Sequence, residues 1–135
     1  MTTVFPSPEW LQLLFEKLNA DERYREIAKN WEGDIVFDIQ PTGPIEANIY
    51  YYFDLWHGSC RQVKELEDLE QVKPAFLMRA SYENIAKILK GELDPMQALM
   101  TRKLHVEGNM ALVMRNVPVV LDFVRCVKEV TTVVK

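Results

Sequence analysis

Residues 91–109 read Gly-Glu-Leu-Asp-Pro-Met-Gln-Ala-Leu-Met-Thr-Arg-Lys-Leu-His-Val-Glu-Gly-Asn, and no other stretch of the chain limits the fold so sharply. Gly91 follows the apolar positions of 85–89 and reads as a helix stop, because glycine tolerates the left-handed backbone that ends a helix. Asp94 and Pro95 then supply a cap acceptor and a first-turn proline, so a second helix starts at Pro95. Met96, Leu99 and Met100 share one face of it. From Lys103 to Glu107 the period drops to two, with Leu104 and Val106 on one side. Gly108-Asn109 closes that strand and opens a further helix with Met110, Val113 and Met114 on its inner side. A chain that switches between helix and strand this often within one short run is neither all-helical nor all-β.

The rest of the chain follows the same rules. Ser7-Pro8-Glu9 opens a helix with Leu11, Leu14, Phe15 and Leu18 on one face, and Asp21 caps another bearing Tyr24, Ile27, Ala28 and Trp31 before Gly33. Ile35, Phe37 and Ile39 alternate with polar residues, Pro41-Thr42-Gly43-Pro44 turns the chain, and a second strand covers 45–55. Ile45, Ala47, Ile49, Tyr51 and Phe53 line one face of that strand. Its other face becomes aromatic at Tyr50 and Tyr52, which suits cover more than solvent. Gly58 permits a tight turn into a third strand at 60–66, an acidic loop spans 65–70, and a fourth strand at 76–80 leads to a helix capped by Ser81. With 104–107 as the fifth strand, the element order predicts an α+β fold, a five-stranded mostly antiparallel sheet with helices packed on one face. A single domain over 1–135 is expected.

Composition removes several classes of function. The formal charge is −4, with basic residues scattered among acids, so no nucleic-acid partner is expected. Cys60 and Cys126 lack the paired spacings of zinc or redox sites and read as free thiols in a reducing compartment. The N-terminal Met-Thr-Thr-Val-Phe-Pro-Ser-Pro lacks a signal-peptide start, no apolar run approaches a bilayer span, and the last residues are not a peroxisomal Ser-Lys-Leu address. The expectation is a cytoplasmic protein without stable membrane insertion. Asp54, His57 and Cys60 do not converge on a strand, Ser59 has no nucleophile-elbow glycines, and His105 points away from Leu104 and Val106. No catalytic residue, metal site or cofactor is expected, and the chain does not read as an enzyme.

Residues 117–134 are apolar beyond what one buried face needs. On a helical wheel Pro118, Asp122, Arg125 and Glu129 form a narrow polar stripe. Val117, Val120, Leu121, Val124 and Val127 lie on one side of it, and Val119, Phe123, Cys126 and Val130 on the other. Such a helix can cover a core and also line a tunnel, or pack on a partner chain. Asn116 is the natural cap before Pro118. Five of the six methionines fall between Met78 and Met114; their adaptable side chains suit either a site for apolar ligands or gap-filling in an ordinary core.

The pattern Gly91-x-Leu93-x-Pro95-x-x-Ala98, followed by Lys103-Leu104 and Gly108-Asn109-Met110, resembles the sterol carrier protein 2 family. Tyr52-Phe53-Asp54-Leu55-Trp56-His57-Gly58 is similar to the family's central hairpin, and 74–81 to the strand before its central helix. The resemblance covers about 31–116. One departure is local: the family often has Gln-Gly before Lys-Leu, and this chain has Thr101-Arg102. The resemblance implies a non-catalytic carrier that holds a fatty acid, fatty acyl-CoA or sterol in a tunnel between the sheet and the C-terminal helices. Met96, Leu99, Met100, Met110, Val113, Met114, Leu121 and Val124 are then the expected lining. Arg102, Lys103, Arg115, Arg125 and Lys128 could ring one end, but Glu107, Asp122 and Glu129 interleave with them, which favours a mixed solvated surface. The competing reading is an interaction or homodimerisation module with a collapsed cavity.

Overall fold

Side-chain caps set the helix boundaries in the computed structural model, which describes residues 3–135. The first two residues, part of the N-terminal run read above for a signal peptide, lie outside the described residues. Ser7 accepts from the Trp10 amide to open α1 (Pro8–Ala20), and Asp21 accepts from Tyr24 to open α2 (Glu22–Ile27). Ser81, Asp94 and Asn109 do the same for α3 (Tyr82–Leu89), α4 (Pro95–Met100) and α5 (Met110–Arg115). Each cap satisfies an amide that the helix itself leaves unpaired. The last helix, α6 (Val117–Val130), departs from expectation, because Asn116 makes no side-chain cap bond. Its side-chain amide instead donates to the Leu112 carbonyl at 2.7 Å, tying α6 to the end of α5.

Two sheets organise the strands. β1 (Val4–Phe5) pairs in parallel with β7 (Val133–Val134), closing the two ends of the chain on one another. Sequence pattern carries no sign of this pair, since two residues have no period. The main sheet contains β2 (Ile35–Gln40), β3 (Ile49–Trp56), β4 (Ser59–Leu66), β5 (Phe76–Ser81) and β6 (His105–Glu107), in the order β4-β3-β2-β5-β6. Only the central β2–β5 pairing is parallel, so the mostly antiparallel sheet expected from the sequence is the one found. β3 begins at Ile49 and not at Ile45, because the turn reaches further: the Ile45 amide bonds Thr42, and the Asn48 side chain bonds Asp38 at 2.8 Å. The β3–β4 hairpin turns at His57 and Gly58, with φ of 50° and 81°. That geometry suits a two-residue turn with both centres left-handed. Any Cβ at Gly58 would also sit 2.4 Å from the Arg25 carbonyl oxygen.

The helices pack against the face bearing Ile35, Phe37, Ile39, Tyr51, Phe53, Phe76 and Met78. On the opposite face Val36, Asp38 and Leu66 are buried. Asp38 is held there by Arg79 at 2.9 Å, and Tyr52 is half-buried, with its hydroxyl on Asp34 and Lys64 over its ring.

The middle of the polar stripe of α6 turns inward. Arg125 donates to Asp122 at 2.8 and 3.0 Å and to Asp21 at 2.7 and 3.2 Å, and Lys17 bridges Asp21 and Glu129 at 3.0 Å each. The Asp122 side chain is only 3% exposed. Asp21 therefore caps α2 and anchors α6 at once, and Arg125 beside it holds its carboxyl well below the usual carboxylate range despite burial. Arg125→Leu leaves two carboxylates without their guanidinium and is expected to cost about 2–3 kcal/mol near neutral pH, read by urea unfolding. A depressed folded pKa stabilises above the unfolded value of about 3.9 and loses that stabilisation as pH falls through the folded one. The gap between wild type and variant should accordingly narrow towards about pH 3. A gap independent of pH would show that Asp21 does not carry it.

Candidate apolar binding site

Phe37 sits at the centre of the sheet on its inner face, yet it is only half-buried, while Ile35 and Ile39 on either side are 5% and 2% exposed. Cores pack to near-crystalline density, so a partly exposed ring at the middle of a covered sheet marks missing neighbours. Two apolar cavities supply the space. One, of about 90 Å³, lies between Ile39, Tyr51, Phe53, Met78 and Ala80 of the sheet and Ile85, Ile88, Leu89 and Val127 of the helices, with Phe5 and Trp10 at its end. The other, of about 60 Å³, is bounded by Tyr24, Trp31, Ile35, Leu55, Val119 and Val120. Phe37, Met78, Leu104, Phe123 and Val124 line both. Neither presents a polar atom to its interior, and an apolar void of this kind stays dry.

A third space is open and polar. A surface groove of about 450 Å³ runs past Asp94, Pro95, Leu121, Val124, Arg125, Lys128 and Glu129. Val124 lines this groove and both cavities. Arg125 and Glu129 are engaged in the α6 ion cluster, whereas Lys128 makes no ion pair among the described residues.

The eight expected lining residues divide. Val124 borders both cavities and Leu121 the groove. Val113 is buried in the core and Leu99 packs against it, while Met96 is half-buried. Met100, Met110 and Met114 are 77%, 39% and 50% exposed and touch neither cavity. The reason lies in the length of α4 and α5. Each is a six-residue helix that buries a small face, through Pro95 and Ala98 in α4 and Val113 in α5, leaving the methionines outside. Phe37, Phe123, Leu104 and Met78 line the cavities, and no sequence signal marks them as lining. Strand alternation puts Phe37 and Met78 inward, and the wheel puts Phe123 on an apolar flank, but nothing in one sequence says which rings meet across the gap. Arg102, one of the two residues of the Thr101-Arg102 departure, takes a left-handed backbone with φ of 61°.

Other reactive groups are held apart from this space. His57 pairs with Glu32 at 2.5 Å on the surface and stacks on Trp56, and Asp54 is bound by Arg61. Burial pushes the Cys60 thiol up to about 12 and Cys126 up to about 11, which makes both poor nucleophiles. Asp21, Asp122 and Cys126 bring their ligand atoms within 4.8 Å of one another, but the Arg125 guanidinium already binds both carboxylates. No helix among the described residues is long and apolar enough to cross a membrane.

A five-stranded sheet with one helical layer and two small apolar cavities between them defines a small α+β domain. The chain belongs to the SCP-2 sterol transfer family, whose sequence profile matches residues 11–120. That family is one of lipid-binding and lipid-transfer domains. The fold is similar to a crystal structure of sterol carrier protein 2, at 28% identity and a TM-score of 0.82 over 91% of this chain and 96% of the other. A conserved hypothetical protein of Thermus thermophilus is similar at 29% identity and a TM-score of 0.82, over 93% and 89%. The sterol carrier protein domain 2 of Helicoverpa armigera shares the fold at 24% identity and a TM-score of 0.62, over 90% and 87%. No curated protein matches the sequence.

Dry apolar cavities take up xenon. Xenon titrated into the methyl-labelled protein is expected to shift the methyls of Met78, Leu104 and Val124 and to leave Met100 unmoved. A response confined to surface methyls would show that the interior is filled.

Proposed function

We propose that this chain is a lipid carrier that holds one apolar chain between the sheet and α6 and shields it from water. The observation that carries this reading is the meeting of two dry cavities and an open groove at Val124. Burying methylenes is worth about 0.8 kcal/mol each, so a dozen contribute roughly 10 kcal/mol before ordering costs. No polar contact is needed for that affinity, and a fatty acid, fatty acyl-CoA or sterol are all candidate cargoes. An acyl chain is favoured, because the free Lys128 at the groove suits a carboxylate or phosphate at the chain's end. Met100, Met110, Met114 and Leu121 form the outer part of the site in this reading. They are exposed, unbranched or aliphatic, and able to cover a lipid that enters or leaves.

The protein acts in this reading as a carrier and not a catalyst, as one domain over 1–135, in the cytoplasm. The same exposed side chains also suit a second copy of the chain, and sedimentation at micromolar concentration distinguishes a homodimer from a monomeric carrier.

Native mass spectrometry of the purified protein, with lipid extraction, is expected to give a mass excess resolving into several acyl chains. A spectrum that stays empty after incubation with fatty acid and acyl-CoA would reject the reading. Met100→Glu with Met114→Glu should leave the fold intact, since both sites are exposed, and slow lipid uptake from vesicles at least tenfold. Unchanged uptake would exclude the methionines from the site.

A further inference from the structure

The two cavities lie along one helix. Val119 and Val120 of α6 border the smaller, Val127 borders the larger, and Phe123 and Val124 between them border both. From Val119 to Val127 the helix rises about 12 Å, so the two cavities are neighbours along α6. Phe123 is one of five side chains that border both. Phe123 stacks on Phe37 with centroids 5.7 Å apart and planes 10° from parallel. It also meets one aromatic wall of each chamber edge-on, Phe53 of the larger at 5.6 Å and Tyr24 of the smaller at 6.4 Å.

We propose that Phe123 is a movable partition between two chambers of one tunnel, and that its position sets the length of chain the protein holds. The proposal rests on the carrier reading above and adds a specificity-determining residue to it. Phe123 has empty space on two sides into which its ring can swing, which distinguishes it from Tyr24 and Phe53, each bordering one chamber only. With the ring in place each chamber takes a short apolar segment. With the ring displaced the chambers join, from Phe5 and Trp10 at one end to Trp31 at the other. The partition is apolar, so it sorts ligands by length and bulk and is indifferent to the head group.

The test is a binding series of saturated fatty acids from about eight to about twenty carbons against wild type, Phe123→Leu, Phe123→Ala and Phe123→Trp. Each methylene buried should raise affinity roughly fourfold. In wild type the rise is expected to pause where the chain reaches the ring and then resume. The Leu and Ala variants should rise without a pause, and the Trp variant should bind the longest chains at least tenfold more weakly relative to the shortest. Since Phe123→Ala empties a packed position, a measurement on the unsubstituted fold accompanies it. The protein labelled with 4-fluorophenylalanine should show the ¹⁹F signal of position 123 moving with long chains and staying with short ones. Parallel length series in all four proteins, or a fluorine signal blind to chain length, would overturn the partition while leaving the carrier reading standing. Failure of every fatty acid to bind any variant would overturn both.

Discussion

Arg125 holds one edge of α6 to α1 and α2, and the arrangement of the helical layer follows from which edge it holds. Its guanidinium bonds Asp21 and Asp122, so the middle of the polar stripe is turned towards α1 and α2, while Pro118 and Glu129 stay exposed. A buried carboxylate without a partner is strongly destabilising, which gives the helix little freedom to roll. With that edge fixed, Val119, Phe123, Cys126, Val127 and Val130 are buried. Val124 and Leu121 border the surface groove beside Pro95 of α4, together with Arg125 and Glu129.

The ends of the layer are closed by different means. Phe5 packs edge-on against Trp10 at 4.7 Å, and the Trp10 indole N–H donates to Thr131 at 2.8 Å. The pairing of β1 with β7 thus fixes the wall at one end of the larger cavity. At the far end Trp31 packs on Phe76 at 5.3 Å, with its indole N–H on the Gly33 carbonyl. Both walls are large aromatic side chains with their polar atoms satisfied, so both are rigid. Between them the lining is aliphatic side chains, Met78 and the Phe37–Phe123 pair, which have more ways to repack.

Sequence logic reaches the elements and stops short of the site. Ser7, Asp21, Ser81, Asp94 and Asn109 announce helix starts through local hydrogen bonds, and local chemistry is what one sequence records. Asn116 has the right residue type and a different partner, because Leu112 offers its carbonyl first. The stripe of α6 is visible in the sequence, but its direction is not: Asp122 and Arg125 look like a solvated face until Asp21, far away in the chain, is set against them. Met100, Met110 and Met114 fit the helical period and still face outward, because short helices bury what their ends permit. Periodicity separates two faces of an element and does not say what stands opposite.

The sizes of the cavities carry the last step. Voids of about 90 and 60 Å³ are on the scale of a small ring and not of a long acyl chain. A carrier with this interior must therefore open as it loads, and the energy of opening is drawn from methylene burial. An apolar wall that repacks around its cargo places weak demands on shape, so affinity should follow the apolar area removed from water more closely than head-group chemistry. The pinned edge of α6 limits how far that wall can move. Arg125 and Glu129 border the groove together with Leu121 and Val124. In the carrier reading the ion cluster and the groove side of the site therefore share one stretch of α6, and a change that loosens the cluster is felt at the groove.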